Sequence, residues 1–273
     1  VGGVFGVFAS QDLFLFFLFY EIAVLPMYLL IGLWGTGPKE YSAMKLTLML
    51  MGGSALIVVG ILVLFFQSGS PTFSMESIAR LGVPLATQAW VFPLMFFGFG
   101  TLGGLWPFHT WSPDGHASAP TAVSMLHAGV LMKLGHFSII RVAFEILPET
   151  TRELMPMAAV LCMFSIVYGG FVAFYAKDTK YVIGYSSSSH MGYVFLGMAA
   201  LDYISLTGAV MYMFAHAMAT GMLFAMAGWV YDQTHTRDIP SLGGLANRMP
   251  FISGCFVIGC MASIGVPGTI NFI

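Results

Sequence analysis

The chain has 273 residues, of which 58% are hydrophobic and 8% charged, with a formal net charge of −2. A soluble domain carries roughly 25% charged residues, so this composition excludes an ordinary soluble enzyme and points to a membrane protein; the near-neutral charge points to neither nucleic acid nor an acidic substrate. Cys162, Cys255 and Cys260 lie in apolar stretches with no CxxC pair and no Cys/His ligand spacing, so neither a disulfide framework nor a metal site is expected.

A bilayer core takes roughly 20 apolar residues of helix per crossing. On that ruler residues 1–9 read as the tail of one crossing, and further crossings fall near 11–33, 42–67, 86–110, 121–147, 155–176, 179–201, 204–231 and 250–270. Turn and helix-stop residues separate them: Gly35-Thr-Gly-Pro38, Ser68-Gly-Ser-Pro71, Ser112-Pro-Asp-Gly115 and the polar stretch 232–249. Backbone exposed to lipid cannot go unpaired, so helices rather than open strands are expected throughout. Val1 opens inside an apolar run without a charged n-region, so no signal peptide is expected, and both ends read as cut from something longer. Counting crossings puts the loops near 36–41, 111–120, 177–180 and 232–249 on one side, with Lys39, Lys177, Lys180, Arg237 and Arg248, and Lys45 close by. The other side holds Arg80, Arg141 and Arg152, so the positive-inside rule assigns the first set to the cytoplasm.

Two segments interrupt the helical pattern in the same manner, Gly98-Phe-Gly-Thr-Leu-Gly-Gly-Leu-Trp-Pro107 and Gly259-Cys-Met-Ala-Ser-Ile-Gly-Val-Pro-Gly268. Glycine and proline at membrane depth free backbone groups that need water, ions or neighbouring protein. Such a pair at corresponding places in two halves is the sequence mark of an ion path. Each is the fourth crossing of its half, and an odd number of crossings per half inverts the second copy. The expected organisation is a first repeat over 1–147, with a partial first crossing, and a second inverted repeat over 153–273 that lacks its last helix.

The few charges sit where they cost most. A charged side chain at the centre of a membrane helix costs on the order of 2.5–3.5 kcal/mol even on insertion scales. Glu21 lies midway along 11–33 and Lys133 midway along 121–147. Each is about 10 residues, roughly 15 Å, from a helix end, too far to snorkel. His190 and His216 also sit near the middle of their crossings, and histidine titrates nearest neutral pH, which suits proton relay. His127, six residues before Lys133, lies on a partly different face and stands below these four. Gly103-Gly104 lacks the Gly-Lys-Ser/Thr ending of a phosphate loop, and His109 and His116 have no third metal ligand nearby.

One run is specific enough to carry a resemblance. Trp106-Pro-Phe-His-Thr-Trp-Ser-Pro-Asp-Gly-His-Ala-Ser-Ala-Pro-Thr-Ala-Val-Ser-Met-Leu-His-Ala-Gly-Val-Leu-Met-Lys-Leu-Gly135 closely resembles the signature of subunit M (chain 4) of NADH:quinone oxidoreductase, respiratory complex I. The Glu21-bearing stretch 12–32, the Asp178-Thr-Lys to Ser-His-Met-Gly192 run, His235-Thr-Arg-Asp238, Gly243-Gly-Leu245 and Gly265-Val-Pro-Gly-Thr-Ile-Asn-Phe272 are similar to the same family.

The resemblance implies an all-α, antiporter-like integral membrane bundle of two inverted five-helix repeats, each with a broken helix, around a polar axis. By matched position it makes Glu21, Lys133, His190 and His216 the proton-translocating residues, with Lys45, His109 and Lys180 secondary. It implies a bacterial plasma membrane, other membrane subunits including antiporter-like neighbours, and no cofactor in this chain. FMN, iron–sulfur clusters and quinone would belong to the rest of the complex.

Three departures stand out. Leu102 occupies the place of the family's lysine on the first broken helix, so Glu21 lacks its usual partner, and Lys45, the other cation of the first half near that depth, is a candidate substitute whose side chain spans part of the gap. Tyr181 replaces an arginine, and the family's terminal channel glutamate falls beyond Ile273. The competing expectations are a subunit of a multi-subunit sodium/proton antiporter or membrane-bound hydrogenase, and a structural spacer that no longer pumps.

Overall fold

The computed structural model describes residues 1–272, which are helical with short connections and contain no strand. Helix α1 (Gly2–Ala9) leads into α2 (Leu13–Trp34), α3 (Lys39–Ser68), the short α4 (Met75–Leu81) and α5 (Leu85–Gly103). After a break come α6 (Trp111–Ser118), α7 (Thr121–Phe144) and α8 (Pro148–Tyr175). The chain continues through α9 (Thr179–Ala199), α10 (Tyr203–Thr234), the single turn α11 (Leu245–Arg248) and α12 (Pro250–Ile264).

Six of these, α2, α3, α5, α7, α8 and α10, are long and apolar enough to cross a bilayer. Two expected crossings fall short of that standard for different reasons. Helix α9 has 21 residues, but its serines, Lys180 and His190 thin its hydropathy, and α12 has 15 residues before the chain breaks. The apolar side chains of α8 that face outward, such as Met157, Phe164, Phe171 and Phe174, suit contact with lipid or another apolar surface.

Three helices begin on aspartate caps, which satisfy backbone N–H groups that have no partner within the helix. Asp12 Oδ1 accepts from the N–H of Phe14 at 2.9 Å and of Leu15 at 3.0 Å, and Asp178 Oδ1 accepts from that of Lys180 at 2.8 Å. Asp202 Oδ2 accepts from the Ile204 N–H at 3.0 Å.

The expected interruptions are real but shorter than the glycine-rich runs. Helix α5 continues through Gly98 and stops at Gly104 (φ +76°), and α12 continues through Gly259 and stops at Gly265 (φ +79°). Both glycines occupy left-handed backbone that costs other residues roughly 1–2 kcal/mol. The backbone groups freed at the first break find protein partners. The Trp106 N–H donates to Ser165 Oγ of α8 at 2.7 Å, and the Trp111 indole donates to the Thr101 carbonyl at 2.8 Å.

One assignment is overturned. Within 111–120, expected as a cytoplasmic loop, the chain instead forms the buried helix α6. Pro113 sits in its first turn, where an absent N–H does no harm, so Ser112-Pro-Asp-Gly115 reads as a turn but builds a helix.

Helix α7 is irregular too, with π-turns at His127–Leu131 and Ile140–Phe144. It lies so close to α5 that a Cβ at Gly135 would run into the Phe99 carbonyl and the Gly103 N–H. Gly135→Ala should therefore cost about 1–3 kcal/mol, as overpacking in a close-packed interior does. Thermal unfolding of the detergent-solubilised protein checks this, and an unchanged midpoint would mean that the α5–α7 contact yields freely.

Candidate functional site

Lys133 projects from α7 just past its first π-turn and is almost fully buried, at 5% exposure. Its Nζ donates to the carbonyl oxygen of Ala128, within that π-turn, and lies 2.6 Å from Nδ1 of His216 on α10. His216 is also buried, and its ring packs edge-on against His190 of α9 with centroids 5.3 Å apart. An amine and an imidazole at this distance share one hydrogen bond, across which a proton can pass. His216 Nε2 and His190 Nδ1 are buried without a protein partner among the described residues. Three of the four principal candidates, from three helices, therefore form one contiguous group.

Glu21 stands apart from that group. It is on α2, it takes part in no ion pair among the described residues, and its Oε1 is buried without a partner. Its polar neighbours are Tyr20 and Ser54 of α3, whose hydroxyl oxygens are likewise unpartnered. Tyr20 packs edge-on against Phe99 of α5 at 6.1 Å.

The expected Lys45–Glu21 substitute pair does not form. Lys45 Nζ is 2.7 Å from Oδ2 of Asp114, and Oδ1 of Asp114 accepts from the Tyr181 hydroxyl at 3.0 Å. The cause is α6: once 111–118 is helical, Asp114 faces α3 and supplies a nearer carboxylate. Lys180, expected in a cytoplasmic loop, is in the first turn of α9 and 4% exposed. Its Nζ donates to the Ala119 carbonyl at 2.7 Å and to Ser124 Oγ at 3.4 Å. His109 lies in the break after α5, with its ring edge-on to Tyr168 at 5.1 Å and both nitrogens unpartnered.

Sequence reasoning ranked His127 below the principal four and gave His116, His136 and Asp114 no place in the site. His116 and His127, both fully buried, lie with ring centroids 4.5 Å apart. His136, also fully buried, reaches the carbonyls of Met132 at 3.0 Å and Met191 at 3.3 Å and stacks on Phe195. Asp114 was read as part of a turn. The available signal was the histidine spacing of 11 and 9 residues along 116, 127 and 136, which no single helix period explains. Among the described residues no group of three or more His, Cys, Asp or Glu side chains could hold a metal.

Comparison with known proteins agrees with this architecture. The family model described as NADH:quinone oxidoreductase/Mrp antiporter, TM, matches residues 10–273. NAD(P)H-quinone oxidoreductase chain 4 3 of a Picosynechococcus species is 39% identical, over 98% of this chain and 49% of its own length. Chain 4 1 of a Synechococcus species is 40% identical, over 100% of this chain and 52% of its own. The chain thus spans about half the length of the curated relatives it matches. Among solved structures, respiratory complex I from Thermus thermophilus with bound NADH superposes with TM-score 0.94 at 31% identity, over 99% of this chain and 58% of that one. The membrane-bound sulfane sulfur reductase, an archaeal respiratory membrane complex, superposes with TM-score 0.91 at 26% identity, over 97% of this chain and 55% of that one.

The Lys45–Asp114 pair is only about one-fifth exposed, with side chains at 23% and 20%. A double-mutant cycle of Lys45→Met and Asp114→Asn should return a coupling of about 1–3 kcal/mol in unfolding stability. A coupling near zero would mean that the two charges are solvated independently.

Proposed function

We propose, since the chain belongs to the NADH:quinone oxidoreductase/Mrp antiporter transmembrane family, that it is a proton-translocating subunit of a complex I-type quinone oxidoreductase in a bacterial plasma membrane. The observation that carries this reading is the buried Lys133–His216–His190 run, in which an amine and two imidazoles from three helices meet at the bundle interior. Ionisable groups placed there are expensive, and proton relay is a use that repays their cost. The proton passes between Lys133 Nζ and His216 Nδ1, and from the His216 ring towards His190. No electron moves in this chain: flavin, iron–sulfur and quinone chemistry belongs to other subunits, which drive the relay by shifting charge near its ends.

The division into repeats over 1–147 and 153–273 is part of the same proposal, and internal likeness supports it. Asp12 and Asp178 each cap a helix and each form an isolated antiparallel bridge with the loop that follows the next helix, at Ser74 and Asp238 respectively. Each half then runs into a helix that stops at a left-handed glycine, Gly104 or Gly265. In this frame Glu21 is the first half's proton-binding group, and the chain near 36–41, 177–180 and 232–249 lies on the cytoplasmic side.

One observation favours a second reading, the non-pumping spacer. Leu102 is fully buried where the resemblance places the family's lysine, and α5 carries no cationic residue that could pair with Glu21.

The deciding measurement is protons moved per electron by the assembled complex in vesicles. Lys133→Ala and Glu21→Gln should each lower the ratio with assembly and electron transfer intact. An unchanged ratio in both would move the weight to the spacer. Proton movement that required sodium and no quinone reduction would move it to the antiporter reading.

A further inference from the structure

His136 stands about one turn of α7 beyond Lys133, on the same side of the helix, and the relay described above does not use it. Its ring is fully buried in a cage drawn from three helices. Nδ1 lies 3.0 Å from the Met132 carbonyl oxygen of α7 itself, and Nε2 lies 3.3 Å from the Met191 carbonyl oxygen of α9. The ring stacks on Phe195 of α9 with centroids 4.0 Å apart. Helix α5 comes so near that a Cβ at Gly103 would stand 3.0 Å from His136 Cε1.

Both ring nitrogens thus face oxygens that can only accept. A neutral imidazole has one N–H and one bare nitrogen, so it satisfies one of these carbonyls and turns a lone pair on the other. The imidazolium donates to both, and the face of an aromatic ring favours a cation as well. The cage suits the charged ring, yet no carboxylate pairs with it among the described residues. Its titratable neighbours are themselves bases, Lys133 on its own helix and His216 on α10. Two positive charges one helical turn apart in a buried place repel strongly, so Lys133 and His136 do not hold charge together.

We propose that His136 is a second proton-binding residue of the relay, carrying the positive charge in alternation with Lys133. This rests on the proton-translocating reading above and gives the charge a resting place against α9, at the residue that follows His190. When the amine gives up its proton, the neutral ring, holding one carbonyl only, swings its other nitrogen out of the cage. There it takes a proton, and it closes back as the imidazolium. One N–H bond breaks at Lys133 and one forms at His136, and no oxidant or co-reactant is needed. Return of the charge to Lys133 frees one of the two carbonyls and resets the pair.

Packing is the competing explanation, in which a neutral ring wedged between α7 and α9 acts as a spacer. His136→Gln keeps a hydrogen-bond donor and cannot take up a proton, so it separates the two. In vesicles carrying the assembled complex, His136→Gln should retain electron transfer and lower protons moved per electron towards the Lys133→Ala level. A reaction-induced infrared difference spectrum of the native complex should carry imidazole-to-imidazolium bands, identified with ring-labelled histidine, and His136→Gln should lose part of them. The same part should vanish in Lys133→Ala, because a ring with no amine to take the charge back stays charged throughout.

A native proton ratio in His136→Gln alongside a loss in Lys133→Ala would overturn the alternation and leave the relay standing. Native ratios in both would overturn the relay as well. A lowered ratio with an unchanged histidine spectrum would mean that the ring only positions its neighbours, which also overturns the proposal. If His136→Gln fails to assemble, His136→Phe, which keeps the stack on Phe195 and has no nitrogen to protonate, decides the matter on the same two readouts.

Discussion

A lysine amine held at the centre of a membrane bundle is the constraint from which most of this structure follows. Lys133 is almost fully buried, so its hydrogens must find acceptors among helices. A regular α-helix uses its carbonyls internally; the π-turn at His127–Leu131 disturbs that ladder and presents Ala128 to the side chain five residues later. His216 supplies the second acceptor from α10. Beside this site α7 approaches the end of α5 closely, which Gly135 permits, and the backbone groups freed at the break after α5 are bonded by Trp111 and Ser165.

Two places in the bundle handle buried polar groups differently. One, where Lys133 of α7 meets His216 of α10 and His216 meets His190 of α9, gathers nitrogen bases in contact, each able to accept or give a proton. The other, between α2 and α3, holds one carboxyl among hydroxyls, Glu21 with Tyr20 and Ser54, while Lys45 is engaged by Asp114. Three buried oxygens without partners form a local polar site but do not by themselves make a path.

Much of this was legible in the residues. Apolar run lengths placed nearly every helix, and the depth of Glu21, Lys133, His190 and His216 followed from their distance to helix ends. Three of the four do meet. The misreadings share one physical source: polarity and turn-forming residues were taken as signs of solvent. In Ser112-Pro-Asp-Gly115 the proline and glycine serve a short helix walled in by others, so a polar sequence became interior. His116 and Asp114 were passed over for that reason, whereas His127 was ranked lower on its helix face, and the carboxylate that engages Lys45 was missed. Which polar groups face one another depends on helix rotation and on π-turns, and hydropathy carries neither.

Arg237 has a mechanical consequence. Its guanidinium pairs with Asp178 at 3.1 Å and donates to the Ala117 carbonyl at 2.5 Å, while its own carbonyl accepts from the Thr179 N–H at 3.0 Å. One residue thus rivets the floor of the broken crossing to the cap of α9. Helix α6, with Asp114 and His116, and the first turn of α9, with Lys180 and Tyr181, are bolted into a single plate. A tug on the Lys45–Asp114 contact would tilt that plate as a unit, and the amine of Lys180 would travel with it rather than reorient alone.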